Sequence, residues 1–207
     1  MKKPFILFDF DGVIADSFGP AFEVQKMACP HLTEEDYRRR FDGNINEWNK
    51  NSEKHTDECI QNFDFFGEYI PRMKNQIMMV DGMGEVIRDF CDKYTLIIIS
   101  STITNPIKEF LQKNNLDYCF TEIMGNDFHK SKIEKIKIVF EKYKTIPEEC
   151  VFVTDTLGDI LEAKHVGVKT IGVNWGFHKP ETLMSGEPFE LVDRPEELYS
   201  AVGRCFI

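Results

Sequence analysis

The stretch ILFDFDGVIADS, residues 6–17, opens as an apolar run and closes by setting two carboxylates, Asp9 and Asp11, two positions apart. A short apolar run without polar alternation reads as a strand covered on both faces, as in a parallel sheet packed between helices. Carboxylates carried at the end of such a strand are costly unless they are paired, neutralised or bound to a cation. The opening stretch therefore sets both a fold class and a chemical question.

Similar apolar runs recur at 95–100 (TLIIIS), 151–155 (VFVTD) and 169–173 (KTIGV), with the first at 5–10 and a weaker edge strand expected at 120–124. Helical spacing fills the gaps at 85–93, at 106–113 with Asn105 as cap, at 133–143, at 160–166 closed by Gly167, and at 196–202. Strand alternating with helix predicts an α/β, doubly wound parallel sheet, Rossmann-like in its winding. One segment breaks the rhythm. Residues 17–80 hold no strand run and read as short helices, around 21–28, after the Thr33 cap, and through DFFGEYIPRMK, where Pro71 is expected to kink or end a turn. The expected division is an α/β core of 1–16 with 81–207, and a helical insertion at 17–80.

The chain has 207 residues, with 25 Lys and Arg against 35 Asp and Glu, a formal charge of -10 that disfavours nucleic acid as a partner. The lysines of KSKIEKIKIVFEKYK interleave with Ile133, Ile136, Val139, Phe140 and Tyr143 as the solvated back of a core stripe. No apolar run is long enough to span a membrane. The start MKKPFILF resembles a leader, but Asp9 and Asp11 interrupt it at once, so the expected location is the cytoplasm. The six cysteines lie singly, without zinc-type spacing, and are expected as free thiols.

Ligands of parallel α/β sheets collect beyond the carboxyl ends of the strands. That rule gathers Asp9 with Asp11, Ser100 with Ser101 behind it, Asp155, and Asp159 one helical turn later. Carboxylates converging without sulfur or imidazole predict a magnesium site at Asp9, Asp11, Asp155 and Asp159. The hydroxyls and a lysine add what a phosphoryl group needs, and the lysine is Lys130 or, close by, Lys132.

In that order the motifs DFDGVIADS, IIISS, Lys130 and VTDTLGDI resemble those of the haloacid dehalogenase superfamily of phosphatases and phosphomutases. The insertion after the first motif is similar to the helical cap of the branch that holds phosphoglycolate phosphatase and β-phosphoglucomutase. The resemblance implies that Asp9 is a nucleophile forming an aspartyl-phosphate, and that Asp11 is the general acid and then base. It implies phosphate binding by Ser100, Ser101 and Lys130. It also implies Mg2+ held by the Asp9 side chain, the Asp11 backbone carbonyl, Asp155 and Asp159. The implied activity is hydrolysis of a small phosphorylated metabolite. The alternatives are a phosphomutase of the β-phosphoglucomutase type and a non-catalytic phosphate-binding module, which retention of Asp9 and Asp11 disfavours.

Departures from the family pattern are Ser101 where Asn is common, Ser131 where Pro often follows the lysine, and Thr154 before Asp155. A dehalogenase would lack the acid at Asp11. A phosphonate-cleaving relative would need a cap lysine, and nothing singles out Lys26, Lys50, Lys54 or Lys74. In the insertion, Trp48, Phe63, Phe65, Phe66 and Tyr69 are expected as helix core. Trp175, Phe177 and His178 follow a strand end, where they either border the crevice or pack as a surface loop.

Overall fold

The computed structural model describes residues 3–47, 59–60 and 62–207. Six parallel strands, β1 (Phe5–Phe8), β2 (Thr95–Ile99), β3 (Phe120–Met124), β4 (Cys150–Thr154), β5 (Lys169–Val173) and β6 (Glu190–Val192), form one sheet in the order β3-β2-β1-β4-β5-β6. This is the doubly wound α/β architecture expected from the alternation. Successive side chains divide between its faces. Ile6, Phe8, Leu96, Ile98, Val151 and Val153 enter one buried cluster, while Phe5, Leu7, Ile97, Ile99, Cys150 and Phe152 enter the other. Both faces exclude water, which is why these strands read as unbroken apolar runs.

The register places the chemistry. Phe8 pairs with Ile98 on one side and Val153 on the other, and the Asp9 N–H still donates to the Val153 carbonyl at 2.9 Å. The next residues outward are Asp9, Ile99 followed by Ser100, and Thr154 followed by Asp155. Strand order reverses at β1, whose neighbours are β2 and β4, so the crevice at this switch point opens beside Asp9.

Between β1 and β2 the chain forms α1 (Phe18–Ala28), α2 (Glu34–Arg39), α3 (Phe65–Asn75) and α4 (Met83–Cys91). The two ends of this excursion are bonded side by side, Asp16 N–H to Met78 O at 3.0 Å and Val80 N–H to Ile14 O at 2.9 Å. Thr33 caps α2 as expected, accepting from the Asp36 N–H. Pro71 does not end a helical turn. Helix α3 runs through it, with Tyr69 and Met73 buried on either side, so tertiary burial holds the helix despite the lost N–H. Trp48, Lys50 and Lys54 lie outside the described residues.

The remaining helices are α5 (Thr104–Lys113), α6 (Lys132–Tyr143), α7 (Leu157–His165), α8 (Pro180–Met184) and α9 (Leu198–Cys205). Asn105 is not the cap of α5. The helix begins at Thr104, whose N–H and hydroxyl both donate to Asp127 Oδ1, at 2.8 and 2.7 Å, so its start is set by a residue from the loop after β3. Cysteine usage also departs from expectation. Cys29 and Cys59 are joined by a disulfide, 30 residues apart in sequence with Cα atoms 4.6 Å apart, while Cys91, Cys119, Cys150 and Cys205 form no disulfide among the described residues. The Ile60 N–H donates to Ala28 O at 2.8 Å, a tertiary pairing that brings the two thiols together and leaves no trace in their spacing. Among the described residues, no helix is long and apolar enough to cross a membrane.

Candidate active site

Asp9 leaves β1 almost buried, at 6% exposure. Its Oδ1 accepts the Phe10 N–H at 2.7 Å, and its Oδ2 lies 2.8 Å from Lys132 Nζ. Lys132 is the first residue of α6, where Ser131 caps the helix by accepting from the Glu134 N–H. The Lys132 ammonium also reaches Asp159 Oδ2 at 2.5 Å, and that oxygen accepts the Thr154 hydroxyl at 2.7 Å. One buried cation thus bridges the end of β1 and the first turn of α7.

The lysine of the crevice is therefore Lys132. Lys130 is exposed, and its backbone carbonyl accepts from Asn46 Nδ2 at 3.0 Å. The reason is helical phase. With the helix begun at Ser131, the residue just inside it faces the strand ends, and the residue two positions earlier lies in the preceding loop.

The two carboxylates of the opening stretch occupy different settings. The Asp11 side chain accepts the Tyr69 hydroxyl and, at 2.7 Å, the Thr102 hydroxyl. It is thus turned away from the Lys132 cluster, toward helix α3. Ser100 is fully buried; its hydroxyl accepts the Thr102 N–H at 2.9 Å and its carbonyl accepts Lys135 Nζ at 2.6 Å. Ser101 and Thr102, rather than Ser100, line the cavity. Tyr69, Thr102, Thr154 and Lys135 were not singled out as site residues from the sequence. Only Thr102, in the polar run SST after a strand, carried a usable signal.

Asp155 is fully buried. Its Oδ2 accepts the Phe177 N–H at 2.7 Å and its carbonyl accepts the His178 N–H at 3.1 Å, whereas its Oδ1 has no hydrogen-bond partner among the described residues. His178 is a structural residue. Its Nδ1 accepts the Leu157 N–H at 2.9 Å, so Nε2 carries the proton that faces Arg38 O at 2.8 Å. Trp175 donates to Val13 O at 3.2 Å, while Phe177 borders the cavity.

Burial dominates the electrostatics. It raises Asp9 well above the usual carboxylate range against the opposing pull of Lys132, and raises Asp155 to about 7. Burial would also raise Asp159, but the Lys132 ammonium and the hydrogen bonds it receives hold it below the ordinary value. Lys132 itself is raised: desolvation is outweighed by Asp159 and Asp9. Lys135 is pushed down to about 8, by burial first and then by Lys132.

Among the described residues, no three acidic, histidine or cysteine side chains cluster closely enough to hold a metal by themselves. Asp9, Asp155 and Asp159 lie close enough to act on one another's charge, while the Asp11 side chain is bonded to Tyr69 and Thr102, and Asp159 to Lys132 and Thr154. The donor set still fits magnesium. That ion is commonly held by one or two carboxylates, completing its octahedron with water and substrate phosphate oxygens. The partnerless Oδ1 of buried Asp155 is the kind of oxygen such a cation would satisfy.

Gly12 shows how tightly the crevice is built. Its φ is +73°, and a Cβ there would lie 1.9 Å from Asp155 Oδ2. Gly12→Ala is expected to displace the Asp155 carboxylate, to lose about 1–3 kcal/mol for the left-handed backbone alone, and to lose most turnover with it. Thermal denaturation read beside turnover checks this; wild-type values for both would contradict it.

A cavity of about 570 Å³ extends from Asp9, Asp11, Lys132 and Asp159 to helices α1–α3. Phe63, Phe65, Phe66 and Tyr69, expected as helix core, border it as well as packing against the core.

A family model described as haloacid dehalogenase-like hydrolase matches residues 6–173, which spans β1 through β5 and every acidic residue of the crevice. The chain belongs to the haloacid dehalogenase-like hydrolases. It is 22% identical over 207 residues to the phosphoglycolate phosphatase of Synechococcus elongatus, covering 95% of this chain and 96% of that protein. It is 26% identical over 210 residues to pyrophosphatase PpaX of Listeria monocytogenes, at 95% coverage of each. Among solved structures, a hydrolase from Pseudomonas syringae superposes with a TM-score of 0.79 at 18% identity, over 98% of this chain and 99% of that one. CbbY from Rhodobacter sphaeroides in complex with phosphate gives 0.74 at 18% identity, over 95% and 96%. These two likenesses bear on fold. The protein has the Rossmann-like core of that family, and the curated relatives it resembles are named as phosphatases.

Proposed function

We propose that this phosphatase is a magnesium-dependent phosphomonoester hydrolase that acts on a small phosphorylated metabolite through an aspartyl-phosphate at Asp9. The observation that carries the reading is the unequal treatment of two carboxylates two residues apart. Asp9 is buried beside a lysine at the mouth of the sheet, and Asp11 is held by two hydroxyls on the side of the helices. Paired carboxylates placed in different environments are how one site separates a nucleophile from a proton carrier.

In this reading Asp9 attacks phosphorus in line. The Lys132 ammonium and the donors of Ser101 oppose the charge gathering on the phosphoryl oxygens. Asp11 delivers a proton to the leaving alcohol, then takes one from the water that cleaves the acyl phosphate. Tyr69 and Thr102 fix the direction of its carboxylate. The Asp9 and Asp155 side chains and the Asp11 carbonyl would hold Mg2+, with Asp159 acting through Lys132. When bound, that ion supplies charge neutralisation between phosphate and carboxylate.

Residues 17–80 act as a cap over the core of 1–16 and 81–207. Two strands of chain bonded at Ile14–Val80 and Asp16–Met78 form its natural hinge. The relatives named for phosphoglycolate and for pyrophosphate support a small phosphorylated substrate.

Hydrolysis of para-nitrophenyl phosphate tests the metal. Excess chelator is expected to abolish it, added magnesium to restore it, and calcium to restore little because its coordination is looser. Full activity in chelator would overturn the magnesium reading.

A further inference from the structure

Two stretches of the cavity wall meet at the disulfide. Ala28, the last residue of α1, lines the cavity, and so do Ile60, Asn62 and Phe63 just after the second cysteine. The Cys29–Cys59 bridge joins these stretches, and beside it the Ile60 N–H donates to Ala28 O at 2.8 Å. The loop that the bridge closes carries α2 and, with Tyr37 and Phe41, more of the same wall.

That loop has ties of its own to the core. The Gly158 N–H donates to Phe41 O at 2.9 Å, His178 Nε2 lies 2.8 Å from Arg38 O, and Asn44 Nδ2 donates to Glu162 Oε1 at 3.0 Å. On the Ile60 side the ties are the bridge, the bond to Ala28 and the apolar packing of Phe63. Opening the bridge therefore loosens 60–63 against α1 while α2 stays docked. The bridge also has a neighbour suited to exchange. His31 is exposed, and its Nε2 lies 3.8 Å from Cys59 Sγ. Imidazolium beside a sulfur favours its thiolate, and a sulfur of lower pKa leaves faster. Cys59 is the more exposed of the two cysteines, at 6% against 2%. In the cytoplasm expected for this chain, disulfides that do form are usually transient and catalytic or redox-sensing.

We propose that Cys29 and Cys59 form a thiol–disulfide exchange site, at which a dithiol reductant releases the cavity wall and weakens substrate binding. This regulation rests on the phosphatase reading above. One thiolate of the reductant attacks Cys59 Sγ, the bond between the two protein sulfurs breaks, and Cys29 leaves as a thiolate that takes a proton from water. The second thiolate of the reductant then attacks its own sulfur in the mixed disulfide, and Cys59 leaves with a proton from the His31 imidazolium. Two electrons and two protons pass to the protein, and the reductant becomes an intramolecular disulfide.

The test compares the untreated chain, the chain reduced with dithiothreitol under nitrogen, and Cys29→Ser/Cys59→Ser, each with para-nitrophenyl phosphate and magnesium. Alkylation after denaturation, read by mass, should find Cys29 and Cys59 blocked before reduction and open after it. Reduction is expected to raise KM by about fivefold or more, the lower end of couplings between distinct sites. It should leave kcat nearly unchanged, because binding common to ground and transition state is what is lost. The double variant should match the reduced chain and ignore dithiothreitol, which separates this pair from the other four cysteines. His31→Ala should slow reduction by about tenfold and leave both end-state KM values in place. Hydrogen exchange reads the wall without turnover: the Ile60 amide should exchange faster on reduction and the Gly158 amide should not. Complete reduction with an unaltered KM overturns the proposal, as does alkylation of both cysteines before reduction or a bridge that resists dithiothreitol in the folded chain. If the untreated chain turns over no ester, the phosphatase reading fails instead, and hydrogen exchange then decides the switch alone.

Discussion

Asp9→Asn is expected to reduce turnover of an aryl phosphate to background, a loss on the order of 10⁵- to 10⁶-fold, the scale seen when a covalent nucleophile is removed. The amide cannot attack phosphorus, and no phospho-enzyme forms. The fold should survive, because Lys132 keeps its pairing with Asp159 at 2.5 Å. Asp11→Asn should behave differently. Its role is proton transfer, worth about 10²- to 10⁴-fold, so an ester with a good leaving group should still phosphorylate the variant. The intermediate, lacking its base, should then decay slowly. Mass spectrometry of Asp11→Asn after mixing with aryl phosphate and magnesium should find one added phosphoryl group on the peptide containing Asp9. A label on Ser100 or on a histidine, or sustained turnover by Asp9→Asn, would show the aspartyl-phosphate mechanism to be wrong here.

The second large effect belongs to Lys132→Met. Methionine keeps most of the side-chain length but removes the one cation that joins Asp9 and Asp159. Loss of a positioned charge facing the transition state costs about 10²- to 10³-fold in turnover. Breaking a buried ion pair from one side costs a further 3–5 kcal/mol or so of stability, because the carboxylates are left buried and uncompensated. Lys130→Ala, which removes an exposed side chain, should stay within about 0.5 kcal/mol in stability and about twofold in turnover. Chemical denaturation with steady-state kinetics on both variants separates the two lysines. If Lys130→Ala proves the damaging change, the Lys132 geometry does not describe the working site.

The lysine pair also shows where reading the sequence stops. Apolar runs located β1, β2 and β4 within a residue or two and β5 at its observed bounds, because strands buried on both faces must be apolar throughout, and the weaker edge signal placed β3 at its observed bounds as well. The edge strand Glu190–Val192 carries no such signal, having three residues and only one of them fully buried. Helix bodies were visible, but their first residues were not. The starts of α5 and α6 depend on caps, Asp127 from a distant loop in one and Ser131 in the other, and the second decides which lysine faces the carboxylates. The disulfide of Cys29 with Cys59 likewise follows from two segments meeting across the helical excursion.

What the sequence determined alone was the winding of the sheet and the set of polar residues standing at its strand ends. Hydrophobic periodicity and chain order are local properties, and a parallel sheet converts them into a place without further information. What the tertiary structure decided was direction. Asp11 turned to Tyr69 and Thr102, Ser100 turned inward to leave Ser101 and Thr102 at the cavity, and Lys132 in place of Lys130 all depend on which oxygen or nitrogen lies within about 3 Å of a side chain after packing. Such distances are set by contacts between segments up to a hundred or more residues apart, such as Asn44 with Glu162 at a separation of 118. No spacing along the chain encodes them.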